Sequence, residues 1–163
     1  MKIAISGSHG SGKSFTMYEL AHKYKLKYPN HEITVVTETA RKSPFPINEV
    51  ATIESQIWMI VTQIQKEMEA EKNNDIIITD RCLADYMAYT KIQYPDLYIR
   101  FLPYLKYHIT SYDTIYFKDI YKNNYLVDDG VRSMNKEFRE LVHDTLSEIY
   151  DILMPNIKKF ERI

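Results

Sequence analysis

An α/β architecture, with a mostly parallel five-stranded sheet between two layers of helices, is the fold class this sequence predicts, and three observations predict it. Short β-branched runs alternate along the chain with longer segments of helical periodicity, the pattern of a parallel sheet whose crossovers are helices. The glycines are concentrated: the 163 residues hold four, where average usage would supply about eleven, and Gly7, Gly10 and Gly12 stand close together. Charged residues follow directly on the apolar runs, at the carboxyl ends of strands, where open α/β sheets bind their ligands.

The first strand is Lys2-Ile3-Ala4-Ile5-Ser6, and the glycine cluster follows it at once. A helix is predicted over Lys13 to Lys27, with Phe15, Tyr18, Ala21 or His22, and Lys25 on successive turns and a stop at Pro29-Asn30. Lys23, Lys25 and Lys27 among Tyr24 and Tyr28 read as cations suited to that helix's C-terminus. Ile33 to Thr37 is β-branched throughout, a second and buried strand leading into Glu38-Thr39-Ala40-Arg41. Pro44 and Pro46 make Lys42 to Ile47 a loop. From about Asn48 to Lys72 a long helix is expected, with Ile53, Ile57, Ile60, Ile64 and Met68 facing the core and Gln56, Trp58, Gln63 and Glu67 off that stripe. Asp75 to Asp80 is a third strand, Leu83 to Ile92 and Pro95 to His108 are two tyrosine-rich helices, and Thr114 to Phe117 is a fourth strand. The polar stretch Lys118 to Ser133 is long enough for an active-site lid. Phe138, Leu141, Val142, Thr145, Ile149, Ile152 and Leu153 mark a last helix, and Asn156 to Ile163 offers at most a short fifth strand. Residues 1–163 read as a single domain.

Composition narrows the partners. Apolar residues make up 45% and charged residues 26%, the proportions of a globular domain rather than a collagen, a disordered chain or a coiled coil. Lys plus Arg number 21 against 22 Asp plus Glu, a net charge of −1, which disfavours nucleic acid and membrane surfaces and points to small molecules. Cys82, the single cysteine, can form no internal disulfide, no apolar run approaches the roughly 18 residues of a membrane span, and Met1 to Ser6 is too short for a secretory core. A cytoplasmic protein is expected, and its tyrosine-rich helices offer surface for a homo-oligomer.

Gly7-Ser8-His9-Gly10-Ser11-Gly12-Lys13-Ser14 is GxxxxGKS between a strand and a helix, which is a P-loop in its required context. Consecutive backbone N–H groups must curl around phosphate, and side chains at Gly7 or Gly12 would block the curl. Lys13 then reaches the β- and γ-phosphates of a nucleotide, Ser14 can hold Mg²⁺ through its hydroxyl, and the helix N-terminus that begins there, with Phe15 in its first turn, adds positive potential. Asp80, ending the apolar run Ile76-Ile77-Ile78, is the second candidate for Mg²⁺, and Arg81 beside it is expected to point across the mouth of the site. Glu38 and Arg41 reach the rim from the acceptor side. A hydroxyl acceptor needs a carboxylate to take its proton, whereas a phosphate acceptor needs cations, which Arg41 and Arg81 can supply; both readings stand. In the polar stretch, Asp128-Asp129-Gly130-Val131-Arg132 carries an arginine able to swing onto a transferring phosphoryl group.

Together the P-loop, Glu38-Thr39-Ala40-Arg41, Ile78-Thr79-Asp80-Arg81 and Val127-Asp128-Asp129-Gly130-Val131-Arg132-Ser133 resemble the ribosylnicotinamide kinase domain of NadR-type proteins and the related AAA-like ATPases. The resemblance spans nearly the whole chain and implies ATP with Mg²⁺, a P-loop NTPase fold of three α/β/α layers, a lid carrying Arg132, and acceptor contacts from Asp129. Asp80-Arg81 also resembles motifs of thymidylate and deoxynucleoside kinases, in which the arginine serves the substrate and an acid in the place of Glu38 acts as base. The expected activity is phosphoryl transfer from ATP to a nucleoside, nucleotide or similar small metabolite, with Lys13, Glu38, Asp80, Arg81 and Arg132 as catalytic groups. A regulatory ATPase with no acceptor, and a kinase of nucleic-acid ends or modified bases, are the alternatives.

Overall fold

In the computed structural model, which describes residues 1–120 and 133–163, five strands form one sheet in the order β2-β3-β1-β4-β5. They are β1 (Lys2–Ser6), β2 (Ile33–Val36), β3 (Ile76–Asp80), β4 (Thr114–Phe117) and β5 (Phe160–Arg162). Every pairing is parallel, with Ile3 opposite Ile78 and Thr114, and Ile5 opposite Asp80 and Tyr116. Five helices connect and cover them: α1 (Lys13–Lys27), α2 (Ile53–Asn73), α3 (Leu83–Gln93), α4 (Pro95–His108) and α5 (Lys136–Leu153). None of the helices among the described residues is long and apolar enough to cross a membrane.

Central strands β1 and β3 are buried along their whole length, as their near-continuous apolar sequence requires of a sheet covered on both faces. Alternation divides them between two cores. Ile3, Ile5, Ile76 and Ile78 pack with Met17 of α1 on one face. Ala4 points to the other, where Tyr86, Tyr112, Tyr150, Leu146 and Phe117 fill the space under α2, α3, α4 and α5. Those three tyrosines are fully or almost fully buried, and each hydroxyl has a polar partner, as burial of a phenol demands. Other tyrosines, Tyr18, Tyr104 and Tyr107, are exposed, so the tyrosines divide between core and surface.

The chain leaves β1 toward β2 and leaves β3 toward β4, in opposite directions along the sheet. Between the carboxyl ends of β1 and β3 the connections diverge and leave a crevice. Gly7 and Asp80 stand on its two sides.

Several expectations change. The long helix begins at Ile53, capped by Thr52 in a reciprocal pair with Ser55, and Asn48–Val50 is a separate 3₁₀ turn. The apolar stripe of α2 is only partly inside: Ile60 is fully buried and Ile64 packs against the core, but Ile53, Ile57 and Met68 are exposed, while Gln56, Gln63 and Glu67 are completely buried. Helical periodicity identifies the two faces of a helix but not how it is turned on its neighbours, and here the buried face combines Met59 and Ile60 with polar groups that are tolerated because they find partners. Helix α1 is likewise turned: Phe15 and Tyr18 are exposed and Met17 is in the core. At the sheet edge, β2 is mostly half-buried rather than buried and stops one residue short of Thr37. The expected lid, with Asp129 and Arg132, lies outside the described residues.

Candidate active site

The loop between β1 and α1 is shaped by three left-handed or unusual glycine conformations, with φ of 145° at Gly7, 71° at Gly10 and 78° at Gly12. At Gly7 there is also no room: a Cβ would stand 2.9 Å from the main-chain oxygen of Lys118 at the end of β4. Side chains from distant elements clamp the loop from outside. Asp85 of α3 accepts the Gly7 N–H through Oδ1 at 2.9 Å and the Cys82 N–H through Oδ2 at 2.9 Å. Arg139 of α5 donates from Nε to the His9 carbonyl at 3.0 Å and from Nη2 to the Gly10 carbonyl at 3.4 Å, and its own carbonyl accepts the Ser8 hydroxyl at 2.8 Å. With the loop carbonyls drawn outward to Arg139, its N–H groups are free to face a phosphate. Neither Asp85 nor Arg139 was singled out by sequence; the one signal was Asp85 three residues after Cys82, a helix-capping spacing.

Lys13 lies over this loop, its Nζ donating to the Ser8 carbonyl at 2.7 Å. Burial and the nearby Arg81 charge lower its pKa to about 8. Ser14 donates its hydroxyl to Asp80 Oδ2, so the two residues chosen as Mg²⁺ ligands meet, across 66 positions of sequence. The other oxygen, Asp80 Oδ1, is buried without a hydrogen-bond partner, a costly state for a carboxylate that a cation would relieve. An oxygen-only pair at the mouth of a phosphate loop suits Mg²⁺, which takes one or two protein ligands and completes its shell with phosphate and water. The residues present therefore fit ATP and Mg²⁺. Phe15, named with the loop, contributes backbone only; its ring is 73% exposed.

On the far side of the loop a narrow cleft is lined by His9, Glu38, Gln56, Arg81, Tyr86 and Tyr89 among others, aromatic walls with a few convergent polar groups. Arg81 does not point across the mouth: it is 4% exposed, its backbone is left-handed with φ of 82°, and its side chain turns inward. Its Nε donates to Glu38 Oε1 at 2.7 Å, and its Nη1 lies 3.5 Å from the Gly7 carbonyl and 3.7 Å from Asp85 Oδ1. Its guanidinium also sits over the ring of Tyr89. Burial works to raise the Glu38 pKa, but Arg81 and Lys13 override it and hold it at about 2. Arg41 reaches Glu38 Oε2 more loosely, 3.5 Å away on a half-exposed side chain. His9 is buried against Tyr89, with Nδ1 3.2 Å from the phenol oxygen. Burial, reinforced by Arg81, Lys13 and Arg139, lowers its pKa to about 3, so its ring is neutral.

Thus the structure brings Gly7, Ser8, His9, Gly10, Ser11, Gly12, Lys13, Ser14, Glu38, Asp80 and Arg81 around one crevice, with Arg41 at its edge. A family model described as an AAA domain matches residues 2–157. The chain belongs to that family. No curated protein sequence matches it. Among solved structures, it is similar to deoxyadenosine kinase from M. mycoides with dCMP and dCDP bound, at 20% identity and a TM-score of 0.69, covering 100% of this chain and 89% of that one. Thymidylate kinase from Ehrlichia chaffeensis aligns at 18% identity and a TM-score of 0.69, over 100% of this chain and 86% of that one. A NadR protein in complex with NR aligns at 20% identity and a TM-score of 0.72, over 97% of this chain but 45% of that longer one. At these identities the likeness is one of fold, and the fold is that of P-loop kinases.

Proposed function

We propose that this protein is an ATP-dependent kinase that transfers the γ-phosphoryl group to a nucleoside, a nucleotide or a closely related small metabolite. The observation that carries the reading is that the phosphate loop has a second cleft against it, walled by the loop's own His9 and floored by the Glu38–Arg81 pair. An ATPase whose acceptor is water has no need of such a cleft. The names of the similar structures, which are nucleoside and nucleotide kinases or hold NR, support the acceptor class.

In this reading the acceptor oxygen attacks the γ-phosphorus, the bond to the bridging oxygen breaks, ADP leaves, and the acceptor proton passes to a carboxylate. The loop N–H groups and Lys13 grip the donor, and Ser14 and Asp80 hold Mg²⁺, which neutralises charge on the phosphates when bound. Glu38, ionised at any working pH, accepts the acceptor hydroxyl's hydrogen bond and orients it. A carboxylate held at about 2 is a weak base, yet in a loose transition state the proton leaves late, so orientation is the larger contribution. Asp80 would be engaged in holding the metal, which makes Glu38 the better candidate for that role. Arg81 holds Glu38 in place and lends positive potential to the shared wall, while Arg41 and the segment with Asp129 and Arg132 serve the acceptor and the transferring group.

The test is transfer of labelled γ-phosphate from ATP–Mg²⁺ to ribonucleosides, deoxynucleosides, their monophosphates, nicotinamide riboside and short DNA. A labelled nucleoside or nucleotide is expected, with Lys13→Ala lowering the rate by roughly 10²–10³-fold. ATP hydrolysis that no acceptor accelerates would overturn the kinase reading in favour of a regulatory ATPase.

A further inference from the structure

The polar face of α2 is sealed against the sheet, and one residue on it uses each of its hydrogen-bonding ends. Gln63 is completely buried. Its Nε2 donates to Glu67 Oε1 at 2.8 Å and lies 3.5 Å from the main-chain carbonyl of Arg81. Its Oε1 accepts from Thr39 Oγ1 at 3.0 Å and from the Tyr86 hydroxyl at 3.3 Å. That same hydroxyl accepts the Thr39 N–H at 3.2 Å.

An ionised carboxylate only accepts, so Glu67 dictates which end of the amide it meets and leaves the oxygen end to Thr39 and Tyr86. Glu67 is itself fixed by groups from three other elements. Lys2 Nζ of β1 stands 2.7 Å away, His108 Nε2 of α4 2.9 Å away, and the Tyr112 hydroxyl ahead of β4 donates at 2.8 Å. Burial works to raise the Glu67 pKa, but His108 and Lys2 outweigh it and hold it below the ordinary value. A chain of partners therefore runs from the amino end of β1 to the carboxyl ends of β2 and β3.

Thr39 directly follows Glu38, and Arg81 is the residue whose strained backbone aims its side chain at Glu38. Gln63 thus holds the Thr39 side chain directly, reaches the Thr39 N–H through the Tyr86 hydroxyl, and meets the Arg81 carbonyl, on both sides of the ion pair that floors the cleft. We infer that Gln63 is a positioning residue for the acceptor site, fixing the Glu38–Arg81 pair through Thr39 and the Arg81 carbonyl, with Glu67 setting the direction of its amide. It lies among none of the residues lining the cleft. Its kinetic consequence rests on the kinase reading; its geometric consequence does not.

The experiment compares Gln63→Glu with the exchange variant Gln63→Glu/Glu67→Gln. Alone, the first sets two carboxylates against each other and breaks the Gln63–Glu67 donor–acceptor match. The exchange restores that match, because the amide introduced at position 67 donates to the carboxylate introduced at position 63, which still accepts from Thr39 and Tyr86; in both variants the Arg81 carbonyl faces a carboxylate that cannot donate to it. For Gln63→Glu, kcat with the best acceptor is expected to fall about tenfold or more while KM for ATP stays unchanged. Amide hydrogen exchange in segments 37–41 and 79–83 is expected to accelerate, and the exchange variant is expected to recover segment 37–41 and part of kcat while segment 79–83 stays fast. If Gln63 merely filled space, both variants would lose melting temperature while segments 37–41 and 79–83 exchanged as in the parent and kcat per folded molecule held, and that result overturns the inference. If the parent phosphorylates no acceptor, the functional reading fails by itself and the hydrogen exchange still decides the role of Gln63.

Discussion

The phosphate loop takes its shape from eight consecutive residues, Gly7 to Ser14, and would offer a phosphate mainly backbone. The cleft beside it is assembled from side chains that are far apart in the chain: Glu38 with Arg81 across 43 positions, and His9 with Tyr89 across 80. One is set by local conformational demands that almost any strand–loop–helix unit can meet. The other depends on which element packs on which, and on buried polar groups that stabilise the fold only while they are paired. The loop should therefore respond to backbone changes, and the cleft to changes of charge.

The largest expected effect lies on the cleft side. Arg81→Met strips the buried Glu38 carboxylate of its closest partner, and breaking such a pair costs roughly 3–5 kcal/mol, measurable by urea unfolding. A loss under about 1 kcal/mol would mean that the pair behaves like a surface salt bridge, and the contrast between the two regions would fail. On the loop side Gly7→Ala places a Cβ against the Lys118 oxygen in a conformation that side chains rarely adopt. It is expected to cost about 1–3 kcal/mol and to weaken ATP binding in calorimetry, with acceptor affinity little changed. Equal losses of both affinities would show that loop and cleft are one unit.

The smallest effect is a pH slope. Glu38 has its pKa lowered from the ordinary 4.5 to about 2, so its contribution to stability is fully present above pH 4.5 and is lost as pH falls toward 2. Unfolding free energy measured across that window should fall less steeply for Glu38→Gln than for the parent. Identical slopes would show that Arg81 does not hold the carboxylate ionised.

Legibility in the sequence follows the same division. The P-loop could be read outright because its function needs particular residues at fixed, adjacent spacing, and Asp80 and Glu38 could be placed because each follows a recognisable strand. Arg81 was assigned to the right region with the wrong direction, since a left-handed backbone at a non-glycine residue leaves no mark in composition. Arg139 and Asp85 were missed for another reason: apart from the capping spacing of Asp85 after Cys82, each looks like an ordinary charged helix residue until α5 and α3 are laid against the loop. On α2 the periodicity was correct and Ile60 and Ile64 do face the core, but Ile53, Ile57 and Met68 look like the same stripe and are outside, and Gln56, Gln63 and Glu67 look like a wet face and are inside.

By itself the sequence determined the order of strands and helices, the phosphate loop and the carboxyl-end placement of Glu38, Asp80 and Arg81, all of which rest on local periodicity, glycine conformation and the ends of apolar runs. Only the tertiary structure decided that Arg81 turns inward to Glu38, that Asp85 and Arg139 clamp the loop, and that a polar helix face belongs inside. Whether a buried polar group stabilises or destabilises depends on the partner it meets, and those partners come from elements that are distant in sequence.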